Sequence, residues 1–245
     1  MSKPELKIYP NGPAVARAFA EHIVAKLREK GDGPLFWALS GGSTPKLLFQ
    51  LLAEEYRDRI DWPRIHFFWG DERLVPHDDP ESNYGEVQRL LFDKVPVVES
   101  QIHAVPTHLE PEEAATAYAQ TMMRLLPSNS DGLPIIDINM LGMGGDGHTA
   151  SIFPDNMREM LASDRICAVA THPESGQKRV TMTGPVINAS DEVAFLVTGN
   201  SKTQRVAQIL NQEHGAEDYP VAHIQPRDGK LYWFLDEAAA AEVGY

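Results

Sequence analysis

Ile135-Ile136-Asp137-Ile138-Asn139-Met140-Leu141-Gly142-Met143-Gly144-Gly145-Asp146-Gly147-His148-Thr149 is the stretch on which the fold turns. A mostly apolar run of strand length passes directly into four glycines within six positions, the way a buried strand of an α/β sheet ends in a tight turn. Glycines 142, 144 and 147 spell G-x-G-x-x-G, and Asp164 follows at a distance that invites a dinucleotide reading. Pro154 opposes it, because it falls where the first long helix of a dinucleotide unit should be running. The turn is read instead as backbone folded tightly to present an imidazole into a crevice, with Asp146 two residues before His148. An imidazole takes a proton from water near neutral pH and returns it to a leaving oxygen, which is the work of a hydrolytic general base. The other eight histidines lack such a setting and are read as structural.

Outward from this stretch, further strand-length apolar runs alternate with segments of helical period, which predicts βαβ units and a largely parallel sheet. Strands are predicted near Leu6–Tyr9, Leu35–Leu39, Ile65–Trp69, Ile166–Ala170, Arg179–Thr183, Val193–Thr198 and Lys230–Phe234, besides Ile135–Leu141. Val15, Phe19, Ile23 and Leu27 recur every four residues and mark one helix. Pro45 opens a second, Ala114–Leu126 supplies a third and Ser201–Leu210 a fourth. No long Gly/Ser linker divides the 245 residues, so one α/β domain over 1–245 is expected.

In open α/β sheets ligands collect beyond the carboxyl ends of the strands, and three more turns stand out there. Ser40-Gly41-Gly42-Ser43-Thr44-Pro45-Lys46 joins two glycines, two hydroxyls and a helix start, a pattern suited to an anion cradle and equally to an ordinary N-cap at Ser43 or Thr44. It lacks the Gly-Lys-Ser/Thr ending of a Walker A loop. Phe68-Trp69-Gly70-Asp71-Glu72-Arg73 ends a very apolar strand with two carboxylates and a guanidinium. Arg73 offers a fork of donors for phosphate or carboxylate, and Asp71 could orient it or a substrate hydroxyl. Ser82-Asn83-Tyr84 downstream could add polar contacts, or Ser82 could cap a helix. The last set combines Lys178-Arg179-Val180-Thr181-Met182-Thr183 with Val197-Thr198-Gly199-Asn200-Ser201-Lys202. Lys202 is predicted in the first turn of a helix, the unfavourable end for a cation, so an anion is expected to compensate it.

Twenty-two basic against thirty-five acidic residues give a formal charge of −13, the wrong sign for a nucleic-acid or anionic-membrane binder. An anionic ligand must then be held by a local positive site. Cys167 is the lone cysteine, which rules out an intrachain disulfide, and its apolar setting reads as a small buried hydrophobe. With a polar Met1–Glu5 and no apolar run of membrane-spanning length, a soluble cytoplasmic protein is expected.

Taken together, Ser40-Gly41-Gly42-Ser43-Thr44-Pro45, Gly70-Asp71-Glu72-Arg73, the stretch from Gly144 to Pro154, and Gly199-Asn200-Ser201-Lys202 resemble the 6-phosphogluconolactonase family, within the larger group that includes glucosamine-6-phosphate deaminases. The resemblance covers nearly the whole chain. It implies a modified Rossmann-like three-layer sandwich with a mainly parallel central sheet, of the NagB/RpiA/CoA transferase-like kind. It further implies hydrolysis of 6-phospho-D-glucono-1,5-lactone in the oxidative pentose phosphate pathway, with no metal and no organic cofactor. His148 becomes the base that activates water, Asp146 orients or polarises it, and Gly42, Ser43, Thr44, Asp71, Arg73, Arg179 and Lys202 surround the phosphate and sugar oxygens. The expected partner is the small phosphorylated sugar lactone alone, bound by a monomer. Deaminases resemble the chain around the histidine but carry a glutamate five residues later, where this chain has Phe153. They also tend to have an aromatic residue in place of Arg73. A non-enzymatic sugar-phosphate sensor would have little reason to keep Asp146 and His148 together.

Overall fold

A strand whose two faces both need cover reads as a continuous apolar run, and Phe67-Phe68-Trp69 or Val193–Val197 cannot face water on either side. The computed structural model describes residues 3–244. Met1 and Ser2, the first two residues of the polar N-terminal stretch, and Tyr245 lie outside them. The strands are β1 (Glu5–Tyr9), β2 (Leu35–Leu39), β3 (Ile65–Trp69), β4 (Asp71–Arg73), β5 (Ile138–Leu141), β6 (Cys167–Thr171), β7 (Lys178–Met182), β8 (Glu192–Val197) and β9 (Lys230–Asp236). The α-helices are α1 (Gly12–Glu29), α2 (Ser43–Glu55), α3 (Asn83–Leu90), α4 (Pro111–Leu125), α5 (Met157–Leu161), α6 (Gly184–Ile187) and α7 (Thr203–Leu210). Among the described residues no helix is long and apolar enough to cross a membrane.

Six strands form a parallel sheet in the order β1-β9-β8-β5-β2-β3. Alternation along β2 and β3 divides the side chains between two cores. Trp37, Leu39, Phe67 and Trp69 pack with α1 and α2 on one face, whereas Ala38 and Phe68 join α4 and α7 on the other. This is a three-layer α/β architecture with a mainly parallel central sheet. Asn11 caps α1 by accepting from the Ala14 N–H at 3.0 Å, and its Val15, Phe19, Ile23 and Leu27 stripe is buried as the four-residue spacing predicts.

The chain runs from β2 outward to β3, but β5 lies on the opposite side of β2. The carboxyl ends of β2 and β5 therefore flank the point where strand order reverses, where an open sheet leaves a crevice.

Two features depart from the sequence reading. The Asp71-Glu72-Arg73 triplet is a strand and not an open turn: Gly70 alone separates β3 from β4, which pairs antiparallel with β7 and, through it, β6. Main-chain bonds hold this pivot, with Gly70 N–H donating to Leu39 C=O at 3.0 Å and Gly70 C=O accepting from Met182 N–H at 2.8 Å. The strands near Ile166 and Arg179 consequently belong to a second, antiparallel sheet. The predicted Ser201–Leu210 helix begins two residues late, because a 3-10 turn over Asn200–Lys202 precedes α7. Element ends elsewhere shift by a few residues; α4 starts at Pro111, where a missing N–H costs nothing.

Candidate active site

The crevice at the strand-order reversal has a volume of about 210 Å³ and is walled by four separate segments of chain. Ser40–Pro45 follow β2, Asp71 and Arg73 stand on β4, Gly142–Gly144 follow β5, and Leu196–Thr198 end β8, with His148, Ala150, Arg179 and Lys202 closing the sides. The catalytic and substrate-binding residues implied by the resemblance all line this crevice except Asp146, which reaches it only through His148; of the Ser82-Asn83-Tyr84 set only Asn83 does.

The glycine turn is built around that pair. His148 Nδ1 lies 2.6 Å from an Asp146 carboxylate oxygen, which also accepts the His148 backbone N–H at 3.2 Å. Gly144 and His148 close the turn, N–H to C=O at 2.8 Å. A Cβ on Gly144 would overlap the His148 ring and come within 2.5 Å of Asp146 Oδ1, so glycine there is what lets the pair form. Gly147 sits at φ +78°, in the left-handed region that favours glycine. With Nδ1 turned to a carboxylate it cannot accept from, Nδ1 carries the proton and Nε2 keeps its lone pair. Partial burial would raise the Asp146 pKa, but the hydrogen bond and charge of His148 and the backbone N–H bonds outweigh it and hold the carboxyl at about 2. The imidazole is 27% exposed and packs at 4.8 Å against the buried Phe153 ring. After the turn the chain makes no long helix; a Thr149–Ile152 bridge and short turns lead to α5, with Pro154 between.

Opposite the pair, α2 begins with Gly42 as its N-cap at φ +119°, and neither Ser43 nor Thr44 is spent as the cap. Both lie in the first turn, where amides are free and the helix dipole is positive. Thr44 Oγ1 is 2.8 Å from Thr198 Oγ1, which ties the start of α2 to the end of β8.

Three cations face the same space. Antiparallel pairing sets Arg73 directly across from Arg179, an arrangement of like charges that costs stability unless an anion lies between them. Their protein partners are neutral: Arg73 Nη1 donates to Glu81 C=O at 2.7 Å, Arg179 Nε to Gln177 Oε1 at 3.1 Å, and Lys202 Nζ to Met143 C=O at 2.8 Å. Among the described residues none of the three forms an ion pair with a carboxylate, and Arg73 Nε is buried with no acceptor. Burial lowers the pKa of Arg179, countered by Asp71 and reinforced by Arg73; burial likewise lowers that of Lys202, countered by Asp146. Asp71 does not orient Arg73. Its Oδ2 accepts from Ser151 Oγ at 2.6 Å, leaving the carboxylate at the crevice wall.

Ser40, Thr198 and Asn83 also line the crevice; each stands in a turn the sequence singled out, though none was assigned to the phosphate or sugar oxygens. Asn83 stands in the Ser82-Asn83-Tyr84 set, and its backbone N–H, with those of Arg73 and Tyr84, bonds to the buried Glu72 carboxylate at 2.7–2.9 Å. Glu72 thereby fixes β4 against the start of α3, a role no linear pattern announces. Among the described residues no three His, Cys, Asp or Glu side chains are grouped as metal ligands would be.

An α/β sheet that gathers a helix start and three cations at its strand-order reversal, facing an Asp–His pair, is an arrangement suited to holding a small anion and to proton transfer. The family described as glucosamine-6-phosphate isomerases/6-phosphogluconolactonase matches residues 10–233, and the chain belongs to it. It is 39% identical over 227 residues to the 6-phosphogluconolactonase of Haemophilus influenzae, covering 90% of this chain and 95% of that one. Among solved structures it is similar to the devB protein, at 42% identity with a TM-score of 0.91, covering 98% and 99% of the two chains. It is also similar to the 6-phosphogluconolactonase of Trypanosoma brucei, at 29% identity with a TM-score of 0.86 over the full length of both.

Proposed function

We propose that this protein hydrolyses 6-phospho-D-glucono-1,5-lactone to 6-phospho-D-gluconate, the lactone-opening step of the oxidative pentose phosphate pathway. His148 Nε2 takes a proton from water as the water oxygen attacks the lactone carbonyl carbon. Asp146, ionised throughout the working range, holds the ring and stabilises the imidazolium. The tetrahedral adduct then collapses: the bond from the carbonyl carbon to the ring oxygen breaks, and the Nε2 proton passes to that oxygen. A lactone is an activated ester, so a positioned base contributing about 10²–10⁴-fold, with an anchored substrate, suffices. Gly42, Ser43 and Thr44 at the start of α2, with Arg73, Arg179 and Lys202, hold the phosphate and sugar oxygens, and Asp71 takes a sugar hydroxyl.

The observation that carries this reading is the set of three cations with neutral partners, facing one crevice with the Asp–His pair. Phe153 favours lactone hydrolysis over deamination, since its buried ring occupies the position where a deaminase carboxylate is expected. The reading includes one domain acting as a cytoplasmic monomer, with no nucleic acid, membrane, metal or organic cofactor. In support, both cores share one sheet, Cys167 is buried with its thiol pKa pushed up by that burial, and the exposed large apolar side chains among the described residues are few: Leu47, Val98, and Met123 with Leu125 at the end of α4.

The test is acid release from freshly generated 6-phosphogluconolactone, above the spontaneous rate, for wild type and His148→Ala in parallel. Fast turnover that the variant loses is expected. No acceleration by the wild type would overturn the substrate, and an active His148→Ala would remove the base.

A further inference from the structure

The Asp146–His148 turn has an exposed apex at Gly145 and Asp146, yet a general base must be held to within a fraction of an ångström. Its bracing comes from outside the crevice. Arg205, on α7, sets its guanidinium 3.7 Å above the centroid of the Tyr219 ring and donates from Nε to the Gly145 C=O at 3.2 Å. Its Nη1 donates to Gln208 Oε1 at 2.8 Å, one turn along the same helix. Tyr219 lies against Gly147 so closely that a Cβ there would stand 2.7 Å from Tyr219 Cβ and Cδ1. The Gly147 C=O accepts from Val221 N–H at 3.2 Å, in the 3-10 turn that follows Tyr219. The residues on either side of Asp146 are thus gripped together, Gly145 by a cation and Gly147 by the ring on which that cation stacks.

We propose that Arg205 and Tyr219 are positioning residues for the Asp146–His148 pair, a clamp that sets the turn without touching substrate. The inference rests on His148 being the base assigned above. Neither clamp residue lines the crevice, so the contribution falls on the geometry of proton transfer and not on substrate binding. A guanidinium suits this role because it is planar, stacks on an aromatic face and keeps donors in its plane for the carbonyl, where a lysine ammonium would give a point charge and no fixed plane. In an acidic chain Arg205 makes no ion pair among the described residues, so its charge is committed to the ring and the carbonyl. Misplacement of a catalytic group by about 1 Å costs about 10²-fold in rate. A loosened turn, in place only part of the time, is expected to cost about 10-fold.

The experiment measures kcat and KM for lactone hydrolysis, together with the proton NMR signal of the His148 ring N–H in its short bond to Asp146, for wild type, Arg205→Ala, Arg205→Lys, Tyr219→Leu and Tyr219→Phe. Arg205→Ala and Tyr219→Leu should each lower kcat about 10-fold with KM within about twofold, and broaden or shift the ring proton. Arg205→Lys should recover only part of the loss, whereas Tyr219→Phe, which keeps the ring, should match wild type. The NMR signal reports on the pair without substrate, and Tyr219→Phe separates loss of the clamp from loss of fold. A wild-type ring-proton signal and kcat in Arg205→Ala would overturn the clamp, as would a rise in KM at constant kcat, which would make Arg205 a substrate contact. His148→Ala in the same assay keeps the two questions apart: if it stays active, the base assignment fails, whatever the clamp variants do.

Discussion

Gly144 and Gly145 are adjacent in sequence, yet their substitution by alanine should have opposite outcomes. A Cβ on Gly145 would meet nothing within 4 Å, whereas one on Gly144 would run into the His148 ring and stand 2.5 Å from Asp146 Oδ1. To restore an ordinary 3.4 Å contact the carboxylate must withdraw by 0.9 Å (3.4 less 2.5), and the imidazole by at least as much. A shift of about 1 Å in a catalytic group costs about 10²-fold, equivalent to about 2.7 kcal/mol of transition-state stabilisation. Gly144 does not have a positive φ, so alanine imposes no backbone strain, and the turn can yield toward solvent at its exposed apex. Stability should therefore change by less than about 1 kcal/mol. Acid-release kinetics at saturating lactone, with urea unfolding of the same preparations, provide the check. Gly144→Ala should lose about 10²-fold in kcat with a near-normal unfolding midpoint, and Gly145→Ala should lose neither. Full activity in Gly144→Ala would refute the reasoning, because it would mean that the Asp146–His148 contact is not what positions the base.

The His66–His103 pair makes a pH prediction. The rings stack at 5.3 Å with Nδ1 and Nε2 3.0 Å apart, and burial, with smaller contributions from the charges of His66 and Arg124, pushes His103 down to about 4. A folded pKa below the unfolded value of about 6.5 means stability complete above pH 6.5 and lost as pH falls toward 4. Discounted for partial exposure, the loss is about 1–2 kcal/mol, and urea midpoints at pH 7.5 and 5 should differ less in His103→Asn than in wild type. At the opposite ends of the strands from the site, the buried Glu192 carboxylate bonds Lys26 at 2.8 Å and His22 at 2.7 Å. Glu192→Gln would leave Lys26 only the exposed Glu29 carboxylate at 3.7 Å as counter-charge and should cost about 2–3 kcal/mol while kcat stays unchanged, as chemical denaturation and the lactone assay will show. Phe153→Glu should impair lactone hydrolysis without conferring deamination of glucosamine 6-phosphate, measurable as ammonia release, because the carboxylate would enter a buried site beneath Arg179, whose guanidinium lies 5.6 Å from the Phe153 ring centroid.

What sequence could and could not reveal follows from the range of the interactions. Apolar periodicity is local, so Val15, Phe19, Ile23 and Leu27 announced α1, and Leu35–Leu39 and Ile65–Trp69 were delimited to the residue. Glycine density marked the turn at Gly142–Gly147 because close backbone approach excludes other residues. The second sheet was hidden. Asp71–Arg73 is too short for any period, and it is a strand only because β7, more than a hundred residues later, lies beside it. That pairing sets Arg73 directly opposite Arg179, so their individual promise was legible while their opposition was not. The Asp71–Ser151 bond, and the grip of Arg205 and Tyr219 on the turn, likewise join residues whose proximity only the tertiary fold decides.

The same contrast accounts for the electrostatics. A chain of net charge −13 repels a phosphorylated substrate at long range, but screening confines that repulsion to about 8 Å at physiological ionic strength. Inside the crevice local arrangement decides. Glu72, the carboxylate next to Arg73 in sequence, is bound to three backbone N–H groups, and Asp71 accepts from Ser151, so neither neutralises the guanidinium beside it. Burial still raises the Glu72 pKa, its backbone hydrogen bonds offsetting only part of the desolvation. The fold thus diverts its nearest anions to backbone and hydroxyl donors and leaves Arg73, Arg179 and Lys202 with neutral partners. Unpaired cations disfavour the free protein; on the proposed function the same positive charge would favour a dianionic phosphate, so stability given up there would be recovered when substrate binds.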